Sequence, residues 1–138
     1  MSEHLLSSRR FYCQNEHMDI VEKSFSDEKG WEEGKLSIKE ALPRTDLAVT
    51  SFGDGEIRLY YVDQGNRMKE MSYSSESWGK GDFDQPCVPG SQVAAVCRGR
   101  HRDRNIRVYF QRGKYVTALT EWKWDGKWEE GKDALPPA

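Results

Sequence analysis

One pattern occurs three times along the chain and nearly fills it. It reads Arg-Arg-Phe-Tyr-Cys-Gln at 9–14, Ile-Arg-Leu-Tyr-Tyr-Val at 57–62 and Ile-Arg-Val-Tyr-Phe-Gln at 106–111. Each copy is followed by a glutamate inside a second apolar-flanked stretch: Glu22, Glu70 and Glu121. Each then ends in a tryptophan with a glycine three residues on: Trp31/Gly34, Trp78/Gly81 and Trp128/Gly131. Arg10, Arg58 and Arg107 stand 48 and 49 residues apart. A period of about 50 residues with strand-like contents predicts β-propeller blades rather than a single closed core. The chain divides at roughly 1–42, 43–88 and 89–138, and a site built in one repeat is expected in all three.

The segments between turn residues are short and rich in β-branched and aromatic side chains. Strands are predicted at 47–52, 57–63 and 68–73, with Gly-Asp-Gly at 53–55 and Asp-Gln-Gly-Asn at 63–66 as turns. The series returns at 93–97, 106–111 and 116–124, and a further strand is expected around each Trp-x-x-Gly. No long stretch holds a 3.6-residue apolar period. The best helical candidate, residues 36–42, is brief and stops at Pro43. Side chains alternate faces along a strand, so Arg58, Tyr60 and Val62 share one face and Ile57, Leu59 and Tyr61 the other. Large apolar groups on both faces suit a sheet sandwiched between two neighbours. A two-layer sandwich would show a polar outer face.

An extra strand precedes the arginine strand in the second and third repeats. The first repeat has too few residues before Arg10 for a strand and a turn. The fold expected is therefore all-β, about three four-stranded antiparallel blades with the first incomplete, or half of a six-bladed ring. Such an open arc would leave strand edges and a blade face bare. A second copy, or a longer parent chain, would complete it.

Only 36% of the residues are apolar, a shortage offset by five Trp, six Tyr and five Phe. The formal net charge is −2, so no global field recruits nucleic acid or an anionic membrane. No apolar run is long enough for a transmembrane helix. The N-terminus shows no secretory signal, which predicts a protein that is cytoplasmic or released without one. Cys13, Cys87 and Cys97 are odd in number and lack metal-ligand spacing. Reduced thiols are expected, with Cys13 as a small buried apolar residue.

The chemistry concentrates in the repeated arginine and glutamate. Arg10 and Glu22 are 12 residues apart, as are Arg58 and Glu70, and Arg107 and Glu121 are 14 apart. A hairpin at that spacing sets a guanidinium beside a carboxylate, a donor fork next to an acceptor. Vicinal sugar hydroxyls donate and accept, and match such a pair. The aromatic set is Phe25/Trp31, Tyr73/Trp78 and Trp124/Trp128. A ring stacks on the C–H face of a sugar, and an indole N–H donates to a hydroxyl. The plainer reading makes each Arg–Glu pair a clasp between strands and each Trp a core residue. Three copies in register favour the site.

These residues resemble the fungal and bacterial fucose-specific lectins typified by the Aleuria aurantia lectin and the short Ralstonia lectin. The matching text is Ile-Arg-Val-Tyr-Phe-Gln at 106–111, Thr-Glu-Trp-Lys-Trp-Asp-Gly-Lys-Trp at 120–128 and Ser-Gln-Val-Ala-Ala-Val at 91–96. The resemblance implies a six-bladed propeller with metal-free, cofactor-free sites between blades, taking L-fucose and fucosylated glycans. Arg and Glu would come from one blade and two aromatics from the next. One site would use Arg10 and Glu22 with Tyr73 and Trp78, and a second Arg58 and Glu70 with Trp124 and Trp128. A third would use Arg107 and Glu121 with Phe25 and Trp31 of another copy, because short family members build a ring from several chains. Three departures are visible. Arg9 replaces the isoleucine of the other repeats, Lys35, Asp82 and Lys132 follow the Trp-x-x-Gly glycines where a small residue is common, and Phe25 and Tyr73 can stack but supply no indole N–H.

Three rival functions compete with sugar binding. Glycoside hydrolysis needs a carboxylic acid of raised pKa, whereas an adjacent arginine is expected to lower it. His4, His17 and His101 sit in polar, turn-like contexts, and no nucleophile–base spacing appears, so no enzyme is expected. A propeller serving protein interaction would keep every Trp as core. The basic stretch Arg98–Arg104 lacks interleaved aromatics and reads as a solvated loop, not a nucleic-acid site.

Overall fold

The computed structural model describes residues 9–113 and 119–131. Eleven strands and one 3-10 turn at His101–Asp103 make up the regular structure of these residues. They form three antiparallel meanders in chain order. The first sheet is β1 (Arg9–Gln14), β2 (Ile20–Ser26) and β3 (Gly30–Ile38). The second is β4 (Leu47–Ser51), β5 (Ile57–Val62), β6 (Arg67–Ser74) and β7 (Ser77–Pro86). The third is β8 (Val93–Arg98), β9 (Asn105–Phe110), β10 (Thr120–Trp124) and β11 (Trp128–Glu130). This is the blade architecture that the repeat predicts, with a three-stranded first sheet among the described residues.

The two-faced patterning explains how the blades stack. Leu59 and Tyr61 on β5 pack with Ile20, Leu36, Ile38 and Ala41 of the first blade. Tyr60 and Val62, on the opposite face of the same strand, pack with Val93, Ile106, Val108 and Phe110 of the third. Phe83 sits at the centre of this second interface, 1% exposed, with its ring 5.8 Å from Phe110 and 4.6 Å from Trp128. Burying so much aromatic area compensates for the low apolar content. The inner strands are linked as well. The Asp46 carboxylate accepts the Val93 N–H at 2.8 Å, and the Cys97 thiol donates to the Ser51 carbonyl at 3.1 Å.

Two expectations are corrected. Residues 36–42 are not helical: β3 runs to Ile38, with Leu36 and Ile38 buried and Lys35, Ser37 and Lys39 exposed. That alternation has period two, which fits a strand and not a helix. Cys13 is half-buried, not buried. It lies on the outer face of the first blade, where its counterparts Tyr61 and Phe110 are covered by a preceding blade. All three cysteines are free thiols.

Candidate functional site

The carboxylates of the first two blades are positioned by an irregularity in the sheet. In the first blade Val21 pairs with Ser37 and Lys23 with Glu33, so Glu22 alone faces three residues of β3. In the second, Lys69 pairs with Asp84 and Met71 with Lys80, so Glu70 faces Gly81, Asp82 and Phe83. Such a bulge breaks the ladder and opens space for a side chain. The glycine of each Trp-x-x-Gly lines that space. A Cβ on Gly34, Gly81 or Gly131 would fall 2.2, 1.9 or 2.2 Å from Oε1 of Glu22, Glu70 or Glu121. Only a residue without a side chain admits the carboxylate there.

A tyrosine then anchors each glutamate. Tyr12 donates to Glu22 Oε2 at 2.7 Å, Tyr60 to Glu70 Oε2 at 2.6 Å and Tyr109 to Glu121 Oε2 at 2.8 Å. Sequence reasoning missed this role. The signal was present, because tyrosine recurs two residues after each arginine, but it was read only as part of an apolar face. Burial, with the neighbouring carboxylate, pushes the hydroxyl pKa up in all three tyrosines, so each remains a donor. Glu70 is itself raised above the ordinary carboxylate value. Burial outweighs the Tyr60 hydrogen bond, the Arg58 charge and the backbone N–H groups of Phe83 and Asp82. The arginine does lower this carboxyl, as the sequence leads one to expect, but burial raises it further, so Glu70 is not held below the ordinary range.

The arginines differ among the repeats. Arg10 Nη1 donates to Glu22 Oε2 at 3.0 Å, the pairing the sequence predicts. Arg58 does not contact Glu70. It donates to Glu56 Oε1 at 2.9 Å and to the Ile57 carbonyl at 3.1 Å. Arg107 turns in the same way, to Asn105 Oδ1 and to the Ile106 carbonyl. A hairpin brings the two side chains to one face, but the residue two positions before the arginine competes for its guanidinium.

The structure brings together the groups of the first two predicted sites. The Arg10 guanidinium lies 4.8 Å above the Tyr73 ring of the second blade. Tyr73 and Trp78 form a tilted pair 5.4 Å apart, with Tyr12 edge-on to Trp78 at 5.9 Å. The Trp78 indole N–H is buried without a hydrogen-bond partner. Between the second and third blades, Arg58, Glu70, Ser72, Ile106, Trp124 and Trp128 line a cavity of about 180 Å³, with Lys80 and Asp82 at its edge. Lys35 is exposed, and Lys132 lies outside the described residues.

The third site is divided between opposite ends of the arc. Arg107, Tyr109 and Glu121 share the outer face of the third blade, beside the exposed Val96. Phe25 and Trp31 share the outer face of the first blade, where Trp31 is 58% exposed. Their rings are 5.3 Å apart at 55°, against 5.4 Å and 55° for Tyr73 and Trp78. The aromatic half of a site is thus already arranged on a surface with no blade against it.

Of the other residues considered, His17 and His101 are exposed, and His4 lies outside the described residues. Among the described residues no group of His, Cys, Asp and Glu is arranged to hold a metal ion, and no helix is long and apolar enough to cross a membrane. The basic stretch is largely exposed except for Arg104, which pairs with Asp54 and Glu56 of the second blade.

Comparison with known proteins agrees with this architecture. The family model described as fungal fucose-specific lectin matches residues 3–138. A fucose-specific lectin of Arthroderma benhamiae is 36% identical over 96% of this chain and 38% of its own length. Among solved structures, SapL1 lectin in complex with alpha methyl fucoside superposes with a TM-score of 0.81 at 37% identity, covering 94% of this chain and 44% of that one. The six-bladed β-propeller lectin of Aleuria aurantia gives 0.76 at 31% identity, over 94% of this chain and 41% of its own. The chain thus spans less than half the length of these relatives and has the fold of half a six-bladed propeller.

Proposed function

Given that the chain belongs to the fungal fucose-specific lectin family, we propose that it binds L-fucose and fucosylated glycans between adjacent blades, and that it binds without transforming them. The observation that carries this reading is the inter-blade convergence of Arg10, Glu22 and Tyr12 with Tyr73 and Trp78. A pyranose presents vicinal hydroxyls along one edge and C–H groups on a face. The Arg10–Glu22 pair offers adjacent donor and acceptor groups to that edge. The tilted rings offer an apolar wall, against which the methyl group of fucose gains by leaving water. The anchored Tyr12 hydroxyl spends its proton on Glu22 and fixes one carboxylate oxygen, leaving the other available as an acceptor.

Arg58, Glu70, Trp124 and Trp128 supply the second site. Arg107 and Glu121 supply the polar half of a third, completed by Phe25 and Trp31 of a second copy of the chain. The matching ring geometry of Phe25–Trp31 and Tyr73–Trp78 supports that partner. One monosaccharide buries little area, so each site should be modest in affinity, and several on one assembly gain strength on multivalent glycans. No cofactor or metal takes part in this recognition.

The test is direct. Replacing Arg10, Arg58 and Arg107 together by alanine should abolish binding to fucosylated glycans, with the circular dichroism spectrum unchanged. Retained binding by the folded triple variant would refute the site assignment.

A further inference from the structure

The three arginines occupy equivalent strand positions, yet only Arg10 contacts its glutamate. In the second blade the competing acceptor is an ion, Glu56, and it does not act alone. Arg104 Nη2 donates to Glu56 Oε2 at 2.6 Å and also to Asp54 Oδ2. The Asp54 and Glu56 side chains belong to the β4–β5 turn, while Arg104 comes from the loop between β8 and β9. The two guanidinium groups lie 5.5 and 5.3 Å from the Phe52 ring. Side-chain exposures of 11, 17, 19 and 12% for Asp54, Arg104, Glu56 and Arg58 place the row in a largely water-excluded setting. Charges alternate along it, so each member is held by a neighbour, and Glu70 stands beyond its end without an ionic contact. The third blade has neutral Asn105 at the position of Glu56.

We propose that Glu56, whose carboxylate Arg58 shares with Arg104 of the neighbouring blade, is a positioning residue that holds Arg58 away from Glu70 and so makes the second site the weaker binder of a fucoside. The inference rests on the lectin reading above. A sugar that needs donor and acceptor side by side must draw Arg58 off Glu56, and the affinity falls by the cost of that displacement. Giving up a charge-assisted hydrogen bond corresponds to roughly a tenfold loss. Arg104 thereby acquires two roles from one contact. It fastens the second blade to the third, and it sets the strength of a site it does not enter.

Fucoside binding by the second site alone is measured in an Arg10→Ala/Arg107→Ala background, with methyl α-L-fucoside in a calorimeter. Adding Glu56→Gln should tighten binding about tenfold. A separate readout follows Arg58 directly: the NMR titration of the Glu70 carboxyl carbon, assigned by its loss in Glu70→Gln. Glu56→Gln should lower the Glu70 midpoint, because Arg58 then settles beside it. Arg104→Gln should raise it and weaken binding, because Glu56 then holds Arg58 unshared. Tyr60 on β5, Lys80 and Asp82 on β7, and Lys69 and Asp84 beyond them stay in place in both variants, but each variant also removes a charge near Glu70. Both midpoints are therefore measured again with Arg58→Ala, and only the part of each shift lost in that background reports Arg58. A shift unchanged by Arg58→Ala overturns the proposal. An unmoved midpoint in Glu56→Gln, or a lowered midpoint with no gain in affinity, overturns the proposal. If the native chain itself binds no fucoside, the functional reading fails, and the Glu70 midpoint alone decides whether Glu56 governs Arg58.

Discussion

Glu70 carries a conflict that a binding site imposes on a fold. It is 6% exposed, held by Tyr60, and raised above its ordinary value of 4.5 chiefly by burial. A carboxyl with a raised folded pKa binds its proton more tightly in the native than in the unfolded chain. Its contribution to stability is therefore fully present below pH 4.5 and is lost as pH rises through the folded pKa. Relative to a Glu70→Gln variant, the native protein should lose stability as pH rises above 4.5 through the raised folded pKa, as read by urea denaturation at stepped pH. Parallel stability profiles would show that the buried carboxylate costs nothing. The repeat spacing made the hairpin legible and with it the identity of Glu70. The partner of Arg58 was not legible, because it depends on Glu56, a residue outside the repeated pattern, and on Arg104 from another blade. The tyrosine anchors were written in all three repeats, yet one residue type served both as packing and as donor, and the sequence shows only the first at a glance.

In the outer hairpins of the first two blades a bulge sets the glutamate against the glycine of Trp-x-x-Gly. The strand limits were largely legible, because period-two alternation and Gly-Asp turns leave few alternatives. The bulge was not, because nothing in a strand pattern marks three residues opposed to one. Its trace was the glycine of Trp-x-x-Gly, which the structure explains by the approach of the carboxylate rather than by a turn. Gly81→Ala should therefore act on the sheet and the site at once. The added methyl meets Glu70 Oε1 at 1.9 Å, so either the carboxylate leaves its pocket or the hairpin shifts. A loss of roughly 1–3 kcal/mol in denaturant unfolding is expected, together with loss of fucoside binding at the second site only. Gly79→Ala, where an added Cβ meets nothing within 4 Å, is the control and should leave binding intact. Equal effects of the two substitutions would remove the bulge from the account.

Among the described residues, three blades give two interfaces and two outer faces with no blade against them. Phe11 and Trp31 are each 58% exposed on one face, and Val96 is 57% exposed on the other. The equivalent positions Leu59 and Trp78 are covered by the preceding blade. The repeat period made this arc of three antiparallel sheets predictable. In this account each chain holds two whole sites and two halves of a third, so the number of sugars bound reports both function and assembly. The deciding measurement is calorimetric titration of the native protein with methyl α-L-fucoside, with methyl galactoside as the control. Saturable fucoside binding at three sites per chain is the predicted result, falling to two when Trp31→Ala removes the aromatic half offered to a partner. A folded, monodisperse protein that gives no saturable heat with the fucoside would contradict the central claim.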